Sequence, residues 1–281
     1  YDHLEVPDPE KISVGRLSDV LDNKIIEGLK NNKISGLLEF QERSIRAILN
    51  GKSTIISAPT GSGKTEAFVI PIIQKILKNY SNGVFALLVY PLNALIDDQV
   101  FNINKLIQKC GLQNKIEIFA RHGGQSSGYK EKIIQTSQNK CVILATNFDF
   151  INYHLTMQTK DWKNIKSAKV IVMDEAHSYN SFHGSNVYHV IKRMKKYMKD
   201  IQFIGSSATL DNAKEFFSEM FDLPIDLIQS INTTKGRKRY MHRFFIMPRK
   251  YGQRSTMERL SGMCFRNKRK QLVFSNKHKD A

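Results

Sequence analysis

The chain has 281 residues, a formal net charge of +17 and a pI near 9.7. Its 41% hydrophobic and 25% charged residues exclude a disordered polyelectrolyte and give enough apolar material for one large or two medium domains. No apolar run approaches the roughly 20 residues of a membrane span, and Cys110, Cys141 and Cys264 are too scattered for a zinc site or a disulfide framework. The expectations are a reducing, cytoplasmic setting, no membrane, and a polyanionic partner with nucleic acid the first candidate. Much of the charge excess falls after Ile231, where only Glu258 and Asp280 oppose the lysines and arginines.

Residues 1–36 read as a lead-in, with an acidic, proline-bearing start followed by a helix opening at Ser18-Asp19, with Val20, Leu21, Ile25, Ile26 and Leu29 at helical spacing. The first residue is Tyr1 rather than Met, which reads as a piece of a longer protein. A second helix runs from Leu38 to Leu49 and stops at Asn50-Gly51. Within it Gln41, placed ahead of the loop described next, is expected to offer its amide to the donor and acceptor edge of adenine.

The run Thr54-Ile55-Ile56 leads into Ala58-Pro59-Thr60-Gly61-Ser62-Gly63-Lys64-Thr65, and a helical pattern leads out. Glycines at a strand-to-helix turn let several backbone N–H groups converge on one point, and the positive end of the helix adds to them. The loop thus predicts a bound triphosphate, ATP, held by Thr60, Gly61, Ser62 and Gly63, with Lys64 reaching the β- and γ-phosphates and the Thr65 hydroxyl holding Mg2+. Ala58 stands where the strict pattern has glycine.

Further strands are expected at Val84 to Tyr90, Ile116 to Ala120, Cys141 to Ala145, Val170 to Met173 and Ile201 to Ile204, with helices between them. Alternation of this kind predicts an α/β, doubly wound parallel sheet, whose ligands sit beyond the carboxyl ends of its strands. After Met173 come Asp174-Glu175-Ala176-His177. Asp174 is expected to hold the metal, Glu175 to orient or deprotonate a water, and His177 to relay to neighbouring groups. After Ile204, Ser207 and Thr209 are placed to bond the Asp174 to His177 segment and sense the γ-phosphate.

Together these stretches resemble the superfamily 2 helicases of the DExH type, a P-loop NTPase group, over roughly Leu38 to Leu210. The resemblance implies a RecA-like domain over residues 37–230 that couples ATP hydrolysis to movement along a nucleic-acid strand, with DNA favoured. It implies backbone contacts to that strand from Pro91, Asn93, Gly123, Gly124, Thr146 and Asn147. The segment from Tyr179 to Arg193 is similar to the YprA-like DNA-repair helicases and to the helicase subunit of type I CRISPR interference systems, so a nuclease or CRISPR effector partner is among the implied readings. No adjacent His-Asp pair of a metal-dependent nuclease appears. Residues 231–268 read as a basic linker, and residues 269–281, through Gln271 to His278, resemble the first strand of a second, truncated RecA-like domain. Without that domain's arginine finger the resemblance implies weak ATP turnover.

Overall fold

The computed structural model describes residues 11–78, 82–123, 127–179, 181–208 and 212–230. Gly124, Thr209, the basic linker and the expected start of a second domain therefore lie outside the described residues. All the described residues belong to one compact unit.

A short antiparallel pair opens it, β1 (Ile12–Ser13) with β2 (Gly36–Leu37). A 3-10 turn at Val14–Leu17 and α1 (Asn23–Asn31) lie between them. The helix starts later than the expected Ser18-Asp19, because the Asp22 side chain accepts from the Lys24 N–H at 2.9 Å and caps the first turn there. The lead-in is part of the core: Val14, Leu17, Ile25 and Leu29 are all buried. Its Asp22 N–H also donates to Gln74 Oε1 at 2.7 Å, tying it to the helix that follows the phosphate loop.

The helix α2 (Glu39–Leu49) then precedes the first strand of the main sheet, β3 (Thr54–Ser57), and α3 (Lys64–Lys78). There follow β4 (Gly83–Val89), α4 (Asn93–Lys109), β5 (Ile116–Arg121), α5 (Ser127–Asn139) and β6 (Cys141–Thr146). The remainder is α6 (Phe148–Met157), α7 (Lys160–Ile165), β7 (Val170–Met173), α8 (Ser181–Tyr197), β8 (Gln202–Ser207), α9 (Ala213–Phe221) and β9 (Asp226–Gln229).

The seven main strands pair in the order β5-β6-β4-β7-β8-β3-β9, every pair parallel. From β3 to β5 the chain moves one way along this sheet, and from β5 to β9 it moves back. A right-handed crossover puts helices on opposite faces for opposite directions of travel. Accordingly α1 to α4 pack on one face, with Ile56, Leu88, Ile143 and Val172 pointing to them. The later helices pack on the other, with Ile55, Leu87, Val142, Leu144 and Met173. Alternate residues thus feed two cores, which is why these strands read as unbroken apolar runs.

Within residues 54–230 the expected strands are present in the main sheet, which gains one more, while the short pair β1 and β2 is likewise unexpected. Among the described residues the unexpected β9 pairs only with β3, and β8 runs three residues beyond the expected Ile204 to Ser207. Its Gly205-Ser206-Ser207 is extended because all three residues pair with β3, Gly205 also with β7. At Gly205 a Cβ would stand 2.7 Å from an Ile55 side-chain carbon, so the space there is already filled.

Candidate nucleotide cleft and nucleic-acid groove

Since every main strand is parallel, all their carboxyl ends open on one edge, and that edge divides into two halves. Over β7, β8 and β3 lies a cleft of about 510 Å3 lined by Thr60, Gly61, Gly63, Lys64, Thr65, Asp174 and Glu175. Gly61 and Gly63 have φ of 75° and 87°, the left-handed region that glycine enters without a Cβ penalty. A Cβ on Gly63 would also collide with the Gln41 amide.

Lys64 is 7% exposed, and its ammonium donates to the carbonyl oxygens of Ala58 at 2.8 Å and Pro59 at 3.2 Å. Burial lowers its pKa, while the charges of Glu175 and Asp174 pull it back up. Asp174 is 6% exposed, and burial raises its carboxyl pKa; the nearby Ser206 hydroxyl and the N–H of Glu175, which donates to Asp174 Oδ1 at 2.9 Å, act in the opposite sense. Glu175 itself sits at φ 48° in the left-handed region, a strain of about 1–3 kcal/mol for a residue with a Cβ. That turn separates two adjacent carboxylates: Asp174 goes into the buried end of the cleft and Glu175 stays partly exposed beside it. His177 Nδ1 lies 3.3 Å from Glu175 Oε2 and does not line the cleft.

Gln41 is 6% exposed and both ends of its amide are engaged. Nε2 donates to Gly63 O at 2.8 Å, and Oε1 accepts from Leu38 N–H at 2.7 Å, so in this structure it braces the phosphate loop from behind. Ser62 Oγ is buried and does not line the cleft. Ser207 is 1% exposed; its backbone carbonyl accepts from Ala58 N–H at 3.1 Å and anchors the start of the loop. The hydroxyl beside Asp174 belongs to its neighbour Ser206, which sequence reasoning passed over.

The sequence reading also missed the far wall of the cleft. Gln99, Asn102 and Lys105, spaced three apart on α4, line it together with Asn32 at the end of α1. Thr65 Oγ1 donates to Gln99 Oε1 at 3.3 Å, which leaves the hydroxyl lone pairs free to accept or to ligate. The polar stripe at helical spacing was the available signal.

Over the other half, β5, β6 and β4, lies a second groove of about 470 Å3, lined by Asn93, Gly123, Asn147, Asp149, Phe150 and Tyr153 together with Arg121, His122 and His154. Asn147 Nδ2 donates to Asn93 Oδ1 at 2.8 Å, and Asn147 Oδ1 accepts from Phe150 N–H at 2.7 Å as the cap of α6. These expected strand contacts therefore stand together. Thr146 does not join them: it is fully buried and donates to Arg121 O at 2.6 Å, stitching β6 to β5. Pro91 is partly exposed outside the groove lining. Beneath the groove, Asp161 meets Arg121 at 3.3 Å, Lys130 at 3.1 Å and His154 at 3.6 Å. No sequence signal joins Asp161 to Arg121, because they are 40 positions apart.

Among the described residues no helix is long and apolar enough to cross a membrane, and no cluster of three or more His, Cys, Asp or Glu side chains could hold a metal ion.

Comparisons with known proteins place these two features in context. The chain is 28% identical over 239 residues to the ATP-dependent helicase YprA of Bacillus subtilis, covering 83% of this chain and 31% of that protein. It is also 28% identical over 268 residues to the ATP-dependent helicase MJ1574 of Methanocaldococcus jannaschii, covering 89% of this chain and 38% of the relative. The chain thus spans about a third of the length of these relatives. Among solved structures, the DUF1998 helicase MrfA bound to DNA superposes with a TM-score of 0.70 at 28% identity, over 81% of this chain and 32% of that one. The DEAD-box helicase Mss116 bound to single-stranded RNA shares the fold, with a TM-score of 0.68 at 23% identity, over 80% of this chain and 47% of that one. Residues 38–216, from the start of α2 into α9 and so including the groove and all of the cleft lining but Asn32, match the DEAD/DEAH box helicase family, and the chain belongs to that family.

Proposed function

We propose that this chain is the ATP-hydrolysing part of a motor that moves along a nucleic-acid strand, DNA in preference to RNA. The observation that carries the reading is the meeting of Lys64, Thr65, Asp174 and Glu175 in one cleft on the same sheet edge as the Asn93–Asn147 pair. On this reading the N–H groups from Gly61 to Thr65 cradle the phosphates, and Lys64 exchanges its bonds to Ala58 and Pro59 for the β- and γ-phosphate oxygens. Magnesium fits the donor set, since it keeps most of its waters and takes only one or two protein oxygens beside the phosphates. Thr65 Oγ1 and the Asp174 carboxylate would hold it, and the ion would supply neutralisation of the charge on the phosphates.

Glu175 orients the attacking water and accepts its proton, and His177 links Glu175 to the surface. Gln41 recognises adenine by exchanging one of its two internal bonds, and so reports base occupancy to the Gly63 carbonyl it braces. Ser207, joined to the loop through its carbonyl, and Thr209 couple the cleft to the rest of the motor. Asn93, Gly123 and Asn147 hold the sugar-phosphate backbone without reading bases, with Pro91, Gly124 and Thr146 shaping that path. The preference for DNA is supported by the MrfA complex, at higher identity than the Mss116 complex with RNA. Cytoplasmic placement and a nuclease or CRISPR partner rest on the sequence reading alone.

The test is ATP turnover by the full-length protein, which would supply a second RecA-like domain, with no strand, single-stranded DNA and single-stranded RNA in turn. Stimulation by DNA that disappears in Glu175→Gln is the expected result. ATP binding with no turnover under any condition would replace the motor with a nucleotide-gated scaffold.

A further inference from the structure

The groove over β5, β6 and β4 holds more than a phosphate path requires. Of its cationic neighbours, Arg121 is 8% exposed and, with Lys130, meets the Asp161 carboxylate below. His154 also faces Asp161 and has its pKa lowered by burial, with the Asp161 charge opposing, so at neutral pH it adds no charge. Arg121, His122 and His154 line one side of the groove, Arg121 and His154 facing Asp161 and His122 lying 3.5 Å from Asp97, while Asp149 stands exposed in the first turn of α6. A phosphate pushed in beside it would meet repulsion.

The aromatic content points to a different occupant. Tyr153 lies one helical turn beyond Asp149, hence on the same face of α6, and is 59% exposed although it is large and apolar in body. Its ring is steadied edge-on against His154 with centroids 5.1 Å apart. Phe150 lies under the Arg121 guanidinium, 5.0 Å from ring centroid to charge, and is almost fully buried. The Asn147 cap fixes α6, and with it Tyr153, relative to the amide pair.

We infer that this groove takes an unstacked nucleobase, which lies on Tyr153 and offers its exocyclic amine to Asp149, while the neighbouring phosphates stay on the Asn93–Asn147 pair. The inference rests on the nucleic-acid reading above and adds base contact to what was there a backbone path. A volume of about 470 Å3 is within the range of sites that enclose small ligands. Flat π-faces on aromatic platforms are a common way to hold single strands, and stacking of one base contributes on the order of a tenfold change in affinity. Adenine, cytosine and guanine carry the amine and thymine and uracil do not, so Asp149 gives the groove a base preference.

The experiment compares binding of the 281-residue chain to two short single strands of equal length at one salt concentration, one bearing adenines and one abasic throughout. The wild type is expected to bind the adenine strand about tenfold more tightly. Tyr153→Ala should erase that difference and leave the abasic strand bound as before, which also reports that the variant is folded. Tyr153→Phe should keep the difference, and Asp149→Asn should reduce the preference for adenine over thymine. Equal affinity of the wild type for both strands, or a Tyr153→Ala effect that is equal on both, would overturn the inference. Failure of the wild type to bind either strand would instead remove the nucleic-acid reading beneath it.

Discussion

The two halves of the sheet edge are made alike, from strand ends and helix starts, yet they keep their charges differently. Over β7, β8 and β3 the charged groups face the cleft: Lys64, Asp174 and Glu175 all line it, and burial works against the charge of both Lys64 and Asp174. Over β5, β6 and β4 the Arg121 that lines the groove is paired with Asp161, which Lys130 also meets, and the rest of the lining is amides, aromatic and imidazole rings and the Asp149 carboxylate. The first arrangement suits a highly charged ligand that arrives with its own cation. The second suits a ligand with separate polar and flat apolar parts. On the proposed reading one fold edge serves two chemistries, with Asp161 pairing the Arg121 that borders the second.

The largest way to break the comparison is on the catalytic side. Glu175→Gln keeps the shape and most hydrogen bonding of the side chain but removes the proton acceptor. Turnover should fall about 10²- to 10⁴-fold while nucleotide affinity stays within a few-fold of wild type. Steady-state hydrolysis beside a fluorescent-nucleotide titration separates the two.

Asp161→Asn would make the groove resemble the cleft by releasing Arg121 and Lys130 from a common carboxylate. Removing one partner of a buried charged network should cost about 3 kcal/mol in urea unfolding. Strand binding should also become more salt-dependent, the slope of log affinity against log salt steepening by about one as another cation becomes available to phosphate. An unchanged slope would mean that the groove does not meet the strand.

Asp174 gives the smallest effect and the sharpest sign. Burial raises its folded pKa above the ordinary 3.8, so the folded state holds that proton more tightly than the unfolded chain. The stabilisation from the protonated form is complete below pH 3.8 and is lost as pH rises through the folded value. At neutral pH the ionised carboxylate therefore weakens the fold, and Asp174→Asn should raise the melting temperature while it removes magnesium-dependent nucleotide binding. In the wild type, that binding should decline on acidification before an ordinary aspartate would titrate. A melting temperature that falls in Asp174→Asn would contradict the assigned burial cost.

Much of this was legible in the chain because local pattern and tertiary role agree. Gly61 and Gly63 sit where a strand meets a helix, and only the left-handed backbone found there requires them. The continuous apolar strands announced a parallel sheet covered on both faces. What escaped depended on distant partners. Asp226–Gln229 is a strand only because β3 lies beside it, and Gly205-Ser206-Ser207 has little preference for extended structure except alongside β3. Ser206 carries the hydroxyl next to Asp174, yet nothing in the sequence separates it from Ser207. Nothing in the sequence marks Tyr153 as an exposed ring, because its neighbours in the folded chain decide that. The start of α1 moved because a cap at Asp22 outweighed the one offered by Ser18 and Asp19.

The central claim is that the two halves of the edge bind two different ligands. The direct measurement is a four-way titration: Lys64→Ala and Tyr153→Ala, each against a non-hydrolysable ATP analogue with magnesium and against a short adenine single strand. The account predicts that Lys64→Ala loses nucleotide affinity by about 30-fold or more, as a buried charged contact should, and keeps the strand. Tyr153→Ala should lose about tenfold on the strand and keep the nucleotide. Equal weakening of both ligands by either variant would contradict the account, as would a Lys64→Ala protein that still binds the nucleotide like wild type.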